Sequence, residues 1–136
     1  MRKTRTSWNS SIVAAILGLY VLLGASCTSG PIVIEEGLET SELIQRAQEA
    51  SDKRRPDRAL QYYQAILDRY PNDLYATSAA RYEIAFIYFK KGDHGQAKQG
   101  FEELLALYEG PEADLLPAQF RVLSEKILAK ILTEAK

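Results

Sequence analysis

Few residues in this chain are equipped for chemistry. There is one thiol, Cys27, and one imidazole, His94. A single cysteine allows no intramolecular disulfide and no cysteine-built metal site. His94 lies in a Gly-Asp-His-Gly turn with no second histidine or cysteine nearby, so it reads as a loop residue rather than a ligand or a general base. Glu35-Glu36 and Glu102-Glu103 are adjacent pairs. Neighbouring residues diverge on a helix, which makes Glu102-Glu103 a poor acid/base pair, and Glu35-Glu36 falls in a linker. No glycine-rich phosphate loop or nucleophile elbow is present. The expectation is a protein that is not an enzyme and needs no cofactor or metal. Lys53-Arg54-Arg55-x-x-Arg58 could meet lipid head groups or an acidic partner, but it reads first as a solvated turn whose charges favour the end of the preceding helix.

The position of Cys27 says more than its count. Arg2, Lys3 and Arg5 are the only charges before it, and Ile12 to Leu23 is an uncharged run that closes on Gly24, Ala25 and Ser26. That is the three-part layout of a secretory signal peptide. The run would span only about 20 Å as a helix, short of the ~30 Å hydrocarbon core. LLGASC resembles a bacterial lipoprotein box, although Gly24 stands where leucine is commonest. The resemblance implies a signal peptide over 1-26 and acylation of Cys27, with a membrane attachment that strengthens with each buried acyl chain. Ordinary cleavage after Ser26, leaving a free thiol, is the other reading. Beyond the leader the chain carries 14 basic and 18 acidic residues, so nucleic acid is not an expected partner.

Thr28 to Thr40, with two glycines, a proline and three acidic residues, reads as a linker, completing a segment 27-40. Its Ile32-Val33-Ile34 triplet is expected to pack as a short extended arm on the first helix; a docking strand for a partner is the alternative. From Ser41 onward apolar residues recur at helical spacing. Thr40 or Ser41 caps a first helix running to about Lys53. A second starts near Pro56 and stops at Pro71-Asn72, and a third covers Leu74 to Lys91. Gly92 stops the third, and Asp93 with Gln96 opens a fourth. The fifth is expected over Leu115 to Ala135, with Leu116, Phe120, Leu123, Ile127 and Ile131 on its packed face.

An offset of 38 residues superposes Ala59 on Ala97, Tyr63 on Phe101, Ile66 on Leu104, Leu67 on Leu105 and Tyr70 on Tyr108. Ile84-Ala85-x-x-Tyr88 with Ala97-x-x-x-Phe101 forms one unit; Ala47-x-x-Ala50 with Ala59-x-x-x-Tyr63 and Pro71 forms another. These units resemble tetratricopeptide (TPR) repeats. They lack the family's tryptophan, and their period of 38 exceeds the norm by about one helical turn. Extended repeats of this type are similar to those of periplasmic outer-membrane lipoproteins such as the BamD and CpoB kinds.

The resulting expectation is an all-α fold of about five helices: two repeats over 41-73 and 74-110, then a capping helix in 111-136. Arg54 aligns with Gly92, which suggests different backbone geometry in the two inter-helix turns. The resemblance implies a protein or peptide partner in a bacterial envelope, with the protein held by lipid at a membrane, most simply the outer membrane facing the periplasm. So short an array leaves room for a homo-oligomer. By the same resemblance the first helix of each repeat faces the ligand, assigning Ile44, Gln48, Tyr82, Phe86 and Phe89 to partner binding. The aromatic stripe has a second reading, burial beneath the fifth helix.

Overall fold

The computed structural model describes residues 30-134; Cys27 and the leader lie outside the described residues. Among the described residues five α-helices follow an extended arm: α1 (Thr40–Asp52), α2 (Pro56–Arg69), α3 (Leu74–Lys90), α4 (His94–Leu107) and α5 (Ala118–Glu134), with a 3-10 turn at Ala113–Leu115 before α5. No strand occurs among the described residues.

Helices α1 and α2 form one antiparallel hairpin, and α3 and α4 a second. The first core joins Leu43, Ala47 and Ala50 of α1 to Ala59, Tyr63 and Ile66 of α2 and to Ala76, Ala80 and Ile87 of α3. The second joins Ala79, Tyr82 and Ala85 of α3 to Ala97, Phe101 and Leu104 of α4 and to Phe120 and Ile131 of α5. Helix α3 therefore enters both cores, which explains why its sequence is apolar all round rather than amphipathic. The positions matched by the 38-residue offset do equivalent work. Ala59, Tyr63 and Ile66 are buried, as are Ala97, Phe101 and Leu104.

The helix ends show what the residues dictate locally. Asp73 Oδ1 accepts from the Ala76 N–H at 2.9 Å and Asp93 Oδ1 from the Gln96 N–H at 3.1 Å, each satisfying an orphan donor of a first turn. Helix α1 is capped at Glu39, a residue earlier than Thr40, with the Glu42 carboxylate accepting from the Glu39 N–H at 3.2 Å. After α3, Gly92 has φ 78°, and the Asp93 and Gly92 amides donate to the Tyr88 and Phe89 carbonyls. After α1, Arg54 has φ 55°, and the Arg55 and Arg54 amides donate to Ala50 and Ser51. The two turns thus share one left-handed closure, contrary to the difference expected from the residue types. Hydrogen bonding and helix packing force the arginine into a conformation that its Cβ disfavours.

Two further expectations are corrected. The fifth helix does not begin at Leu115. Pro117 excludes the helical region for Leu116, which is extended at φ −80°, ψ 141°. Leu123 is 41% exposed, and Ser124 takes the buried place. The arm, in turn, bonds mainly to the second helix rather than the first. The Ile32 N–H donates to Gln61 Oε1 at 2.8 Å, Arg69 donates to the Glu35 and Ile34 carbonyls at 2.8 and 3.1 Å, and the Tyr70 hydroxyl donates to the Leu38 carbonyl at 2.6 Å. Leu38 is buried in the first core, with Ile34 packed against it.

Relief of the left-handed strain makes the two turns respond oppositely. Arg54→Gly is expected to stabilise the fold by about 1 kcal/mol and Gly92→Ala to destabilise it by about as much, read as shifts of the urea midpoint at unchanged slope. An Arg54→Gly midpoint at or below that of the parent would contradict the strain.

Candidate partner-binding surface

The aromatic stripe of α3 is part of a longer run of rings. Tyr75 meets Phe120 edge-on at 5.8 Å; Phe120 lies 5.9 Å from Tyr82; Tyr82 stacks on Phe86 at 5.8 Å, and Phe86 on Phe89 at 6.1 Å. Phe89 continues to His94 at 5.6 Å. Offset and edge contacts of this kind favour the quadrupoles of the rings and add to the burial of apolar area.

The run divides according to what covers it. Tyr82 is 8% exposed, held between Phe101 of α4 and Phe120 of α5. It is a core residue, and its assignment to a ligand-facing groove is corrected on that ground: α5 lies over it. Phe86 and Phe89 are half-buried and retain an open edge. Lys130 of α5 stands with Nζ 5.4 Å from the Phe89 ring centre, placing a cation over its π-face. At the equivalent places of the first repeat, Ile44 is half-buried against the first core and Gln48 is exposed. Gln48 is therefore open to contact, while Ile44 serves mainly the core.

Two residues of this surface escaped the sequence. Lys130 arrives from a helix outside the repeats, and only packing brings it to Phe89. His94 is the first residue of α4 and half-buried beside Phe89 rather than an exposed turn residue. Its neighbourhood is aromatic, and no group of three or more potential metal ligands clusters among the described residues.

Glu83 sets the electrostatics beneath the stripe. It is half-buried on α3 and has no ion pair among the described residues. Burial pushes its carboxyl pKa up. The Tyr82 hydroxyl is raised by burial and then by the Glu83 charge, and Tyr63 by burial, then Glu83 and Asp52. Away from the stripe, a depression of about 410 Å³ opens between α1 and α2. Another of about 290 Å³ lies between the repeats, lined by Leu67, Leu74, Arg81, Leu107 and Leu116.

A family model for the tetratricopeptide repeat matches residues 44–73 and 79–110. Those ranges coincide with the α1–α2 and α3–α4 hairpins. The two hairpins are TPR-like in form and in sequence. Helices α1 and α3 are then the first helices of their repeats, and α5 packs beside α3 as the first helix of a following repeat would. An uncharacterized protein of Treponema pallidum (strain Nichols) is 30% identical over 117 residues, covering 86% of this chain and 47% of that protein. The chain thus spans about half the length of that relative. No solved structure matches it.

A carboxyl whose folded pKa is raised binds more protons in the native state than in the unfolded one, so stability falls as pH climbs through the window above the ordinary carboxylate value. Glu83→Gln is therefore expected to raise Tm at neutral pH, with the increment shrinking as the pH falls below the ordinary carboxylate range. A Tm difference equal at pH 7 and pH 3.5 would count against a buried charge at Glu83.

Proposed function

We propose that this protein is a non-catalytic adaptor that holds a protein or peptide partner at a bacterial envelope membrane, to which it is attached by acylation of Cys27. The observation that carries the partner-binding half is the Phe86–Phe89 pair. It continues a buried aromatic run, yet it keeps an open edge on the helix that TPR domains typically turn toward their partners. Partly exposed aromatics at the end of a packed cluster are preorganised, so an incoming apolar side chain gains contact area at little cost in ordering. An apolar segment laid against α1 and α3 fits this surface. Gln48 supplies hydrogen bonding, and Lys130 favours an acidic residue in the partner.

The attachment rests on the charged leader, the apolar run and the small residues before Cys27. No described helix is long and apolar enough to cross a membrane. The second reading is a soluble or self-associating subunit of the same fold, favoured by the exposed Val122 and Leu132 on α5.

Fatty-acid labelling in the producing cells separates the two. The parent chain should incorporate label and Cys27→Ala should not; label in neither would leave the soluble reading. For the binding face, a photo-crosslinking residue at Phe89 should capture a discrete second protein, while one at Gln64, exposed on α2, should not. Capture of only the chain's own α5 from Phe89 would remove the groove.

A further inference from the structure

The described part of the chain begins beside one particular edge of the domain. Glu35 is held at Arg69 and Ile32 at Gln61, so the arm, followed toward its N-terminus, heads for the start of α2. Ile32 lies five residue steps along the chain from Cys27, a reach of at most roughly 17 Å. Gln61 stands only about 7 Å along the helix from Pro56. The start of α2 is thus well within reach of Cys27.

That edge is basic. The α1–α2 turn carries Lys53, Arg54, Arg55 and Arg58, and the α3–α4 turn beside it carries Lys90 and Lys91. Lys91 bridges the two turns by an ion pair with Asp57 at 2.9 Å. The acids on this edge are Asp52, Asp57, Asp93 and Glu134, the last pairing with Lys130 at 3.8 Å, with Glu49 just inside it pairing with Lys53 at 3.4 Å. Arg54, Arg55 and Arg58 are exposed and make no side-chain hydrogen bond or ion pair among the described residues. The open depression of about 410 Å³ between α1 and α2 is walled by Arg46, Lys53, Arg55 and Arg58 together with Glu42 and Glu49. The opposite edge, where α2 meets α3 and α4 meets α5, carries Asp68, Asp73, Glu109, Glu112 and Asp114. Arg69, its nearest cation, is engaged by the arm's carbonyls.

We infer that the α1–α2 turn is a membrane-docking edge, seated on an anionic lipid surface by Arg54, Arg55 and Arg58, with the acidic edge facing away. This rests on the acylated reading of Cys27. Two features make the arginines more than a solvated turn. The pinned arm runs toward them from Glu35 to Ile32, and charge is segregated between two opposite edges. Each basic side chain close to an anionic surface multiplies the attraction roughly fivefold, and an acyl anchor acts together with such a patch as a second attachment signal. A domain held this way keeps one orientation on the bilayer rather than swinging on a free tether.

The test uses the acylated full chain, purified from producing cells and reconstituted into vesicles of phosphatidylglycerol and phosphatidylcholine. A fluorescent probe sits on Asp52→Cys or on Glu112→Cys, both exposed and each removing one acid, and the quencher is carried on the lipid head group. Quenching at position 52 should exceed that at 112 by about twofold or more, and the ratio should fall toward one when Arg54, Arg55 and Arg58 are all changed to Glu. Equal quenching at the two positions, or a ratio unmoved by the charge reversal, overturns the docking edge while leaving the anchor intact. Protein that fails to float with the vesicles at all removes the anchor reading, and this inference with it.

Discussion

Helix α3 has to satisfy two cores at once, and the remainder of the domain is arranged around that constraint. Ala76, Ala80 and Ile87 face the first hairpin, while Ala79, Tyr82 and Ala85 face the second. A helix pressed from several sides can carry few large residues on its packed faces, and the alanines let its neighbours approach closely. Their larger side chains, Tyr63, Ile66, Phe101 and Phe120, fill the remaining space. The approach is tight at Gly100, where a side-chain carbon would come within 2.9 Å of the Ala85 Cβ. Glycine in a helix interior lowers helix propensity, and here it lets α4 lie against α3.

A short repeat array must also cover its two open ends, and this one does so by different means. At the front, Gln61, Arg69 and Tyr70 hold the backbone of an extended arm, and that arm brings Ile34 and Leu38 to the first core. At the back, α5 buries Phe120 and Ile131 against the second core, and the Tyr108 hydroxyl donates to the Pro117 carbonyl at its entrance. Tyr70 and Tyr108 occupy one repeat position, yet one secures the chain before the array and the other the chain after it. The back cover extends over Tyr82 and leaves an edge of Phe86 and Phe89 open, so the size of the candidate binding surface follows from where α5 stops covering α3.

Much of this was legible beforehand because it is local. Asp93 caps a helix by a contact three residues away, and Pro56 sits at the first turn its ring favours. The misreadings also had local signals in part. Pro117 is enough to delay α5, since the residue before a proline avoids the helical region. Arg54 was harder, because the residue type argues for one turn and the repeat alignment for another; the shared hydrogen-bond pattern of the two hairpins prevailed over the preference of the side chain. The arm's attachment to α2 involves partners about thirty residues away, beyond the range of any periodicity.

The sequence by itself determined the helical class, the doubling of one hairpin and the positions buried within each hairpin. These depend on residue spacing along a helix and on a repeat that can be matched residue for residue. Only the tertiary structure decided that Tyr82 is core, that Phe86 and Phe89 keep an open edge, that Lys130 stands over Phe89, and that the arm leads toward the basic turn. Each of those outcomes depends on which distant element lies against a surface, and the amphipathic pattern of a helix records that it has a neighbour without recording which one.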